Sequence, residues 1–441
     1  MDKVLEKLEQ FLTPIAVKLD NNRYLSAVKN AFMAAMPLLI IGSFFTLFAN
    51  LPIPGYANFM AHTFGASWQT FFTVPNDISM NMMTVYVVIG IANELARSYR
   101  LDKIGAIFSA LAAFFLLTPM IDFKKASDGV GVPLTNLGAS GLFVGIIVAI
   151  LAVELLRLIN KLGWTIKMPD SVPENVSRSF STLIPITVII LVFNFIRMGF
   201  SVTSFGSAQN FIFGYLQAPL TAIGASLPGT LLVLLIEGVL WSFGIHGANV
   251  VGSVMLPIWM TLTAQNAAAV AKGVTIPNIV NYQFYSNFVK IGGSGATFGL
   301  ILLLLFAAKS NQLKTIGKLG IFPEIFTINE PIIFGMPIVL NPVMIVPFIL
   351  TPLVMALVAY GAMAWGIVPL TNGVNIPWTT PPIIAGFLIS GWRGALLNVF
   401  QIILSGLIYY PFFRTADRVA LNAEKENEEG KKKSKAEGVS I

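Results

Sequence analysis

Ten apolar runs recur along this chain and constrain its fold more than any other feature. Hydrophobic residues make up 55% of the sequence and charged residues 11%, whereas an average globular protein is about 25% charged. The core of a water-soluble protein cannot bury this much apolar surface, but lipid tails can surround it. The sequence therefore predicts an all-α polytopic membrane protein with about ten transmembrane helices. The runs occupy Ala31–Leu51, Met80–Leu95, Ile104–Ile121, Leu137–Leu156, Leu183–Phe195, Leu227–Ile245, Val250–Leu262, Ser294–Ala308, Pro337–Ile367 and Ile383–Phe413.

The lysines and arginines between the runs predict the orientation of the chain, because cytoplasmic loops carry an excess of these residues. Lys18, Arg23 and Lys29 precede the first run, whereas residues 52–79 contain neither Lys nor Arg. A basic tail around Lys431 follows the last run. Both termini are therefore expected in the cytoplasm, in agreement with an even number of crossings. The net charge of +7 has the same origin, so it does not indicate a nucleic-acid partner.

Two scarce residue types exclude several kinds of site. The chain has no Cys and two His, which excludes disulfides, thiolate metal sites and cysteine nucleophiles and argues against an all-protein zinc site. Together with the apolar runs, this composition excludes a cytosolic enzyme, a secreted disulfide scaffold and a nucleic-acid-binding domain. We expect neither a metal nor a cofactor.

Changes in composition divide the chain into four segments. Residues 1–22 show helical apolar spacing without a signal peptide, which predicts an amphipathic helix in the membrane interface; a helix docked on the protein's own loops is the alternative. Residues 23–200 have the pattern of ordinary spanning helices, whereas residues 201–413 contain Pro and Gly within their apolar runs. Irregular backbone at membrane depth lines cavities in transporters, so we expect the site in this second half. Residues 414–441 are charged and are predicted to form a disordered cytoplasmic tail.

The first candidate functional residue is a carboxylate between two apolar stretches, in the sequence INEPIIFG at 328–335. Pro331 disfavours helical geometry at Glu330 and is a good first residue for a new half-helix. Glu330 is therefore expected at the cap of that helix, where the dipole keeps it ionised. An ionised carboxylate accepts hydrogen bonds from hydroxyl groups or takes a proton from one of them. A Glu that only caps a hairpin is the alternative, but ionisable groups at this depth are functional by default.

The second candidate is a histidine between glycines, in the sequence WSFGIHGAN at 241–249. The glycines on both sides of His246 indicate a break at which side chain and backbone both meet a ligand. A histidine that only satisfies a helix end explains the local pattern equally well. Glu237 lies nine residues earlier and is interpreted as a helix–helix contact in preference to a proton site.

Two further motifs carry weaker signals. Trp378 precedes the last run and can stack on a ligand ring, but an aromatic residue of the membrane interface is the better interpretation of the local pattern. The glycine-rich sequence KIGGSGAT at 290–297 suggests a phosphate cradle. It follows no strand and lacks the full phosphate-loop pattern, so close helix packing is the better interpretation.

Taken together, these motifs resemble the lactose, cellobiose and diacetylchitobiose family of enzyme IIC, the membrane permease of the bacterial sugar phosphotransferase system. The resemblance rests on the sequences at 328–335, 244–247, 292–295 and 168–173 and extends from about Val4 to Phe413. It implies about ten spans with two re-entrant hairpins. It also implies a homodimer formed by the N-terminal half and a sugar site in the C-terminal half.

The resemblance further implies an activity and a set of site residues. A disaccharide is carried inward across the bacterial inner membrane and is phosphorylated, usually on a 6-hydroxyl, by a phosphocysteine of the soluble IIB protein. The family's substrate-contacting histidine corresponds to His246 and its catalytic or hydroxyl-binding glutamate to Glu330, which makes both catalytic candidates. The other substrate-binding candidates are Trp241, Asn249, Trp378, and Asn136 and Gly138 in a stretch reaching the site from the first half.

The lack of cysteine refines this expectation. A chain without Cys cannot carry the phosphocysteine, and its short charged tail leaves no room for a fused domain, so IIB is expected to be a separate polypeptide. Lactose members usually carry IIB fused, which favours a substrate of the cellobiose or diacetylchitobiose type. The protein is then a subunit of a phosphotransferase complex and a transporter when alone. An ion-coupled secondary sugar transporter, with Glu237 and Glu330 as coupling sites, is the alternative function.

Overall fold

The computed structural model describes residues 18, 21–49, 55–122, 129–169, 172–336, 338 and 341–436. Within these residues the regular secondary structure is helical apart from one pair of two-residue strands, β1 and β2, which pair antiparallel with Ile121 opposite Gly131. The amphipathic helix predicted for residues 1–22 lies, apart from three residues, outside the described part of the chain.

In its described residues, the first half contains eight α-helices, two short 3₁₀ turns and the strand pair. The α-helices are α1 (Arg23–Ala49), α2 (Tyr56–Phe64), α3 (Thr70–Ser79), α4 (Met83–Tyr99), α5 (Lys103–Leu117), α6 (Leu134–Leu137), α7 (Leu142–Lys161) and α8 (Glu174–Ser201). The 3₁₀ turns and strands are Met80–Met82, Ala139–Gly141, β1 (Ile121–Asp122) and β2 (Val130–Gly131).

The second half contains ten α-helices and two π-helical segments in its described part. The α-helices are α9 (Ala208–Ile212), α10 (Ala218–Gly224), α11 (Leu227–Ser242), α12 (Gly247–Ala271), α13 (Tyr282–Phe284), α14 (Phe298–Phe306), α15 (Asn311–Ile325), α16 (Glu330–Gly335), α17 (Pro342–Ala364) and α18 (Pro382–Ala436), the last with a kink at Ser390 and Gly391. The π-helical segments are Phe213–Gln217 and Tyr285–Val289.

Every one of the ten predicted apolar runs corresponds to a helix. Seven of the described helices are long and apolar enough to cross a membrane, and an eighth span is possible if Ala208–Gly224 and Leu227–Ser242, bent by 76°, count as one. The remaining two predicted runs correspond to α5, with 15 residues, and α14, with nine. Both helices are shorter than the roughly 20 residues of a perpendicular span. The helical multi-pass architecture is confirmed, and the expected number of about ten includes these two short helices.

The helices of the first half pack through small side chains. The contact between α1 and α4 is so close that a Cβ on Gly90 would lie 2.7 Å from the Cβ of Ala31. Ala106, Ala110 and Ala113 on α5 are fully buried in the same core. Lipid is as apolar as these residues, so close van der Waals packing, and not the exclusion of water, holds such helices together.

In the second half, one polar face of the last helix completes the hydrogen bonding of irregular backbone. Gln401 donates to the carbonyl of Phe288 at 2.8 Å, and Tyr409 donates to the carbonyl of Gly295 at 2.8 Å. Ser405, between them on α18, donates to a third carbonyl in the same segment. These side chains supply the partners that broken backbone needs where water is scarce. The irregular segment 285–297 is therefore held in a defined position.

A helix also occupies much of the segment for which the sequence predicts disorder, because α18 continues to Ala436. Asp417 accepts a hydrogen bond from the backbone N–H of Ser310 at 2.9 Å. Glu424 accepts from the backbone N–H of Gln312 at 2.7 Å and from the Ser310 hydroxyl at 2.8 Å. Both carboxylates thus accept hydrogen bonds from polar groups at the start of α15 that would otherwise lack a partner. Composition alone does not reveal that the charged tail contacts this helix.

Candidate functional site

A cavity of about 310 Å³ opens between the two halves of the chain. Its volume lies at the lower end of the range found for small-molecule sites, roughly 300–1,000 Å³. Its walls come from α1, from the start of α12, from the irregular segment 282–294 and from the residues before α16. Four of the predicted site residues contribute to them, namely His246, Asn249, Glu330 and Trp378.

His246 occupies the break between α11 and α12. Gly244 has a φ of 78°, which favours a residue without a side chain, and a Cβ on Gly247 would lie 2.1 Å from the carbonyl oxygen of Glu237. The Nδ1 atom of His246 accepts the backbone N–H of Asn249 at 3.2 Å and so caps α12. A nitrogen that accepts carries no proton, so the imidazole is neutral and its hydrogen lies on Nε2. The helix-end interpretation therefore applies to Nδ1, whereas the contact with a ligand stays a prediction for Nε2.

The proton-bearing Nε2 of His246 lies 4.0 Å from Oε1 of Glu330. The Glu330 side chain is half-exposed in the cavity. It is the first residue of α16 and not the cap, because Asn329 occupies the N-cap position. The Asn329 amide donates to the carbonyl of Ser294 at 2.6 Å and to the hydroxyl of Thr297 at 2.8 Å. The glycine-rich segment thus anchors the start of α16 and positions Glu330.

The aromatic candidates have different positions. Trp241 is buried behind His246, with ring centroids 4.4 Å apart, and supports that ring from outside the cavity wall. Trp378 lines the cavity and is partly exposed. Its backbone carbonyl accepts the hydroxyl of Thr327 at 2.7 Å, which ties this tryptophan to the segment leading to Glu330.

The structure does not bring the stretch from Asn136 to Gly138 to this cavity. Asn136 donates to the carbonyl of Pro119 at 3.1 Å, and the carbonyl of Gly138 accepts the Thr84 hydroxyl at 2.7 Å. These two contacts join elements of the first half, and Asn136 also accepts a hydrogen bond from the side-chain amide of Gln209 in the second half at 3.2 Å. The first-half residues that line the cavity are instead Lys29 and Met33 of α1.

A buried ion pair that the sequence did not predict forms another wall. Lys290 lines the cavity and its Nζ lies 2.8 Å from Oε1 of Glu237. The Tyr285 hydroxyl donates to Oε2 of Glu237 at 2.5 Å, and the Ser294 hydroxyl donates to Oε1 at 3.2 Å. Glu237 is thus a contact between elements, as interpreted from the sequence. Lys290 could have been identified as an ionisable residue between apolar stretches.

The arrangement provides one neutral N–H donor, one half-exposed carboxylate and one partly exposed indole ring around a small cavity. A carboxylate that only accepts and an imidazole that donates are complementary to a hydroxyl, which does both. Within the described part of the chain, no group of three or more His, Asp or Glu side chains is placed to hold a metal ion. The site is therefore suited to binding a polyhydroxylated molecule and to moving a proton from one of its hydroxyls.

Comparison with known proteins gives consistent matches along the chain. Residues 29–352 match the family described as "Phosphotransferase system, EIIC". The lichenan permease IIC component of Bacillus subtilis is 43% identical over 437 residues, which cover 97% of each chain. The cellobiose-specific EIIC component of Geobacillus stearothermophilus is 42% identical over 429 residues, which cover 95% of each chain. The crystal structure of ChbC, the IIC component of the N,N'-diacetylchitobiose-specific phosphotransferase system, is similar with a TM-score of 0.91 and 40% identity, over 95% of this chain and 99% of that one.

Proposed function

Because this chain belongs to the EIIC family of the phosphotransferase system, a family of multi-pass membrane proteins, we propose that it takes up a disaccharide of the cellobiose or diacetylchitobiose type. It presents that sugar for phosphorylation by a separate IIB protein. The observation that carries the proposal is the placement of His246 Nε2 and Glu330 Oε1 4.0 Å apart on one cavity. The names of two similar proteins, a cellobiose EIIC and the diacetylchitobiose transporter ChbC, support the sugar class.

In this mechanism His246 and Glu330 hold the acceptor hydroxyl of the sugar. The imidazole donates from Nε2 to the hydroxyl oxygen, and the carboxylate accepts the hydroxyl hydrogen. The hydroxyl oxygen attacks phosphorus, so an O–P bond forms while the S–P bond of the IIB phosphocysteine breaks and a thiolate leaves. The hydroxyl proton passes to Glu330. Positioning of acceptor and donor and control of charge account for most of the acceleration in such transfers.

Trp378 and Asn249 complete the sugar site in this proposal. The partly exposed indole of Trp378 offers an apolar face to a sugar ring, and Asn249, which lines the cavity, offers a side-chain amide to hydroxyl groups. Trp241 acts through His246, whose ring it supports. We keep Asn136 and Gly138 out of the binding set, since neither residue lines the cavity.

The partners and the topology follow from the same proposal. The 441 residues contain no Cys, so the phosphocysteine comes from outside them, and we assign it to a soluble IIB protein. The positive-inside distribution supports cytoplasmic termini in a bacterial inner membrane. We assign homodimer formation to residues 23–200 and the sugar site to residues 201–413, with lipid covering the exposed apolar faces of both.

Uptake into membrane vesicles tests the proposal. The purified protein is inserted into vesicles loaded with phosphorylated IIB, labelled cellobiose is added outside, and the product inside is separated by charge. We expect sugar phosphate, formed only when phosphorylated IIB is present. Free sugar that accumulates with a proton or sodium gradient, without IIB, would identify an ion-coupled secondary transporter and would refute the proposal.

A further inference from the structure

Four charged side chains meet at the candidate site, and they are not equivalent. Lys29, Lys290 and Glu330 line the cavity, and Glu237 lies directly behind Lys290. His246 adds no charge, because its Nδ1 accepts a hydrogen bond. A phosphoryl group that enters this cavity brings additional negative charge close to the Glu330 carboxylate, and that charge needs a cation.

Lys290 already has two partners in the wall of the cavity. Its ammonium is 2.8 Å from Glu237 and donates to the Tyr285 hydroxyl at 3.2 Å. Its side chain is only 13% exposed, so moving it toward a ligand would leave the buried Glu237 carboxylate uncompensated. Lys290 therefore neutralises the wall of the cavity and is poorly placed to serve an incoming anion.

Lys29 is in the opposite situation. It has no ion-pair partner among the described residues, and it is partly exposed on the cavity wall. It belongs to α1 in the first half, whereas Glu330 belongs to the second half. Among the described residues, the cavity thus has a carboxylate on a wall from the second half and an ammonium without an ion-pair partner on a wall from the first half.

We propose that Lys29 is the phosphoryl-binding residue of this site: its ammonium contacts the phosphoryl group during transfer and the phosphate of the sugar phosphate before release. This inference rests on the proposed function. Lys29 makes and breaks no covalent bond; the O–P and S–P exchange and the proton transfer to Glu330 are those given above. A charge-assisted contact of this kind is stronger than a neutral hydrogen bond, and Lys29 makes it only with the phosphorylated species.

Binding of two sugars to purified protein tests the inference. The proteins are the wild type, Lys29→Met, Lys29→Arg and the control Lys272→Met, which removes an exposed lysine outside the cavity. The probes are cellobiose and cellobiose 6′-phosphate, titrated calorimetrically in detergent, where membrane orientation has no effect. Lys29→Met is expected to bind cellobiose within about twofold of wild type and the phosphate about tenfold or more weakly. Lys29→Arg, which keeps the charge, should restore most of that affinity, and Lys272→Met should match the wild type.

The other outcomes separate the two proposals. Unchanged affinity of Lys29→Met for both sugars overturns the role of Lys29, as does an equal loss for both, which would make Lys29 a sugar contact or a folding residue. A wild-type protein that binds neither sugar overturns the proposed function, and the inference about Lys29 falls with it. A tenfold loss for the phosphate that is also seen in Lys272→Met would reflect general surface charge and refute the assignment.

Discussion

The Lys290 ammonium lies 2.8 Å from the Glu237 carboxylate, and this pair joins a helix to the irregular segment that forms a wall of the cavity. Both side chains are largely buried, at 13% and 6% exposure. Desolvation makes such a pair costly to form and more costly to break on one side only. The pair is therefore expected to stabilise the geometry of the cavity and to contribute to sugar binding only through that geometry.

Removal of either partner alone should destabilise the protein. We expect Glu237→Gln and Lys290→Met each to cost about 3–5 kcal/mol, because each leaves an unpaired buried charge. The double variant should lose clearly less than the sum of the two. Thermal unfolding followed by size-exclusion chromatography measures this. Arg97→Ala, at the exposed Glu94–Arg97 pair with 3.7 Å between the charges, is the control and should cost less than about 1 kcal/mol. Additive losses at Glu237 and Lys290 would contradict the prediction.

Glu330→Gln should leave the protein folded and nearly abolish sugar phosphate formation. Gln has the same shape but cannot take the hydroxyl proton, and loss of a general base costs about 10²–10⁴-fold in rate. The rate of transfer from phosphorylated IIB to cellobiose is the measurement. Glu94→Gln changes a carboxylate outside the cavity and should transfer normally. Near-normal transfer in Glu330→Gln would show that this residue is neither the base nor an essential contact.

The two nitrogens of His246 can be tested separately. His246→Asn offers an oxygen that can cap α12 in place of Nδ1, whereas His246→Ala removes both functions. Both variants should weaken cellobiose binding by about 0.5–1.5 kcal/mol, the contribution of one hydrogen bond. Only His246→Ala should also lower thermal stability, by about 0.5–2 kcal/mol. Wild-type affinity in both variants would limit this histidine to its role at the helix end.

Asp417 should control the docking of the C-terminal segment. It is buried, and it accepts the backbone N–H groups of Lys309 and Ser310. Asp417→Ala leaves these groups without their partner, so we expect faster hydrogen exchange at residues 309–312 and earlier proteolysis after residue 416. Glu426→Gln changes an exposed carboxylate on the same helix and serves as the control. Equal protection in Asp417→Ala and the wild type would show that the tail docks by other contacts.

Local patterns in the sequence identified two residues of the candidate site. His246 and Glu330 were identified because a histidine between glycines and a carboxylate before proline are unusual within apolar sequence. The structure places both on one cavity, 4.0 Å apart. Lys290 appeared only within a glycine-rich motif that was interpreted as packing. The motif does pack, since Asn329 is bonded to Ser294 within it, but its lysine also lines the cavity.

The contacts between distant segments could not be predicted in this way. Glu237 and Lys290 are 53 residues apart, and no local spacing relates them. The stretch from Asn136 to Gly138 was expected at the site, and Lys29 occupies the wall of the cavity instead. Hydropathy shows which segments enter the membrane, but it does not show which faces of two apolar helices will meet.

The sequence by itself determined that lipid surrounds the protein, that its fold is helical and where each helix approximately lies. It also identified the two residues at the centre of the proposed chemistry. These properties depend on the composition of short windows, because each run must satisfy its own backbone in lipid. Only the tertiary structure decided which first-half residues reach the cavity, which ammonium is neutralised by Glu237 and what holds the irregular backbone between residues 285 and 297. Those properties depend on long-range packing, where Gln401 and Tyr409 of the last helix bond carbonyls more than 100 residues earlier in the chain.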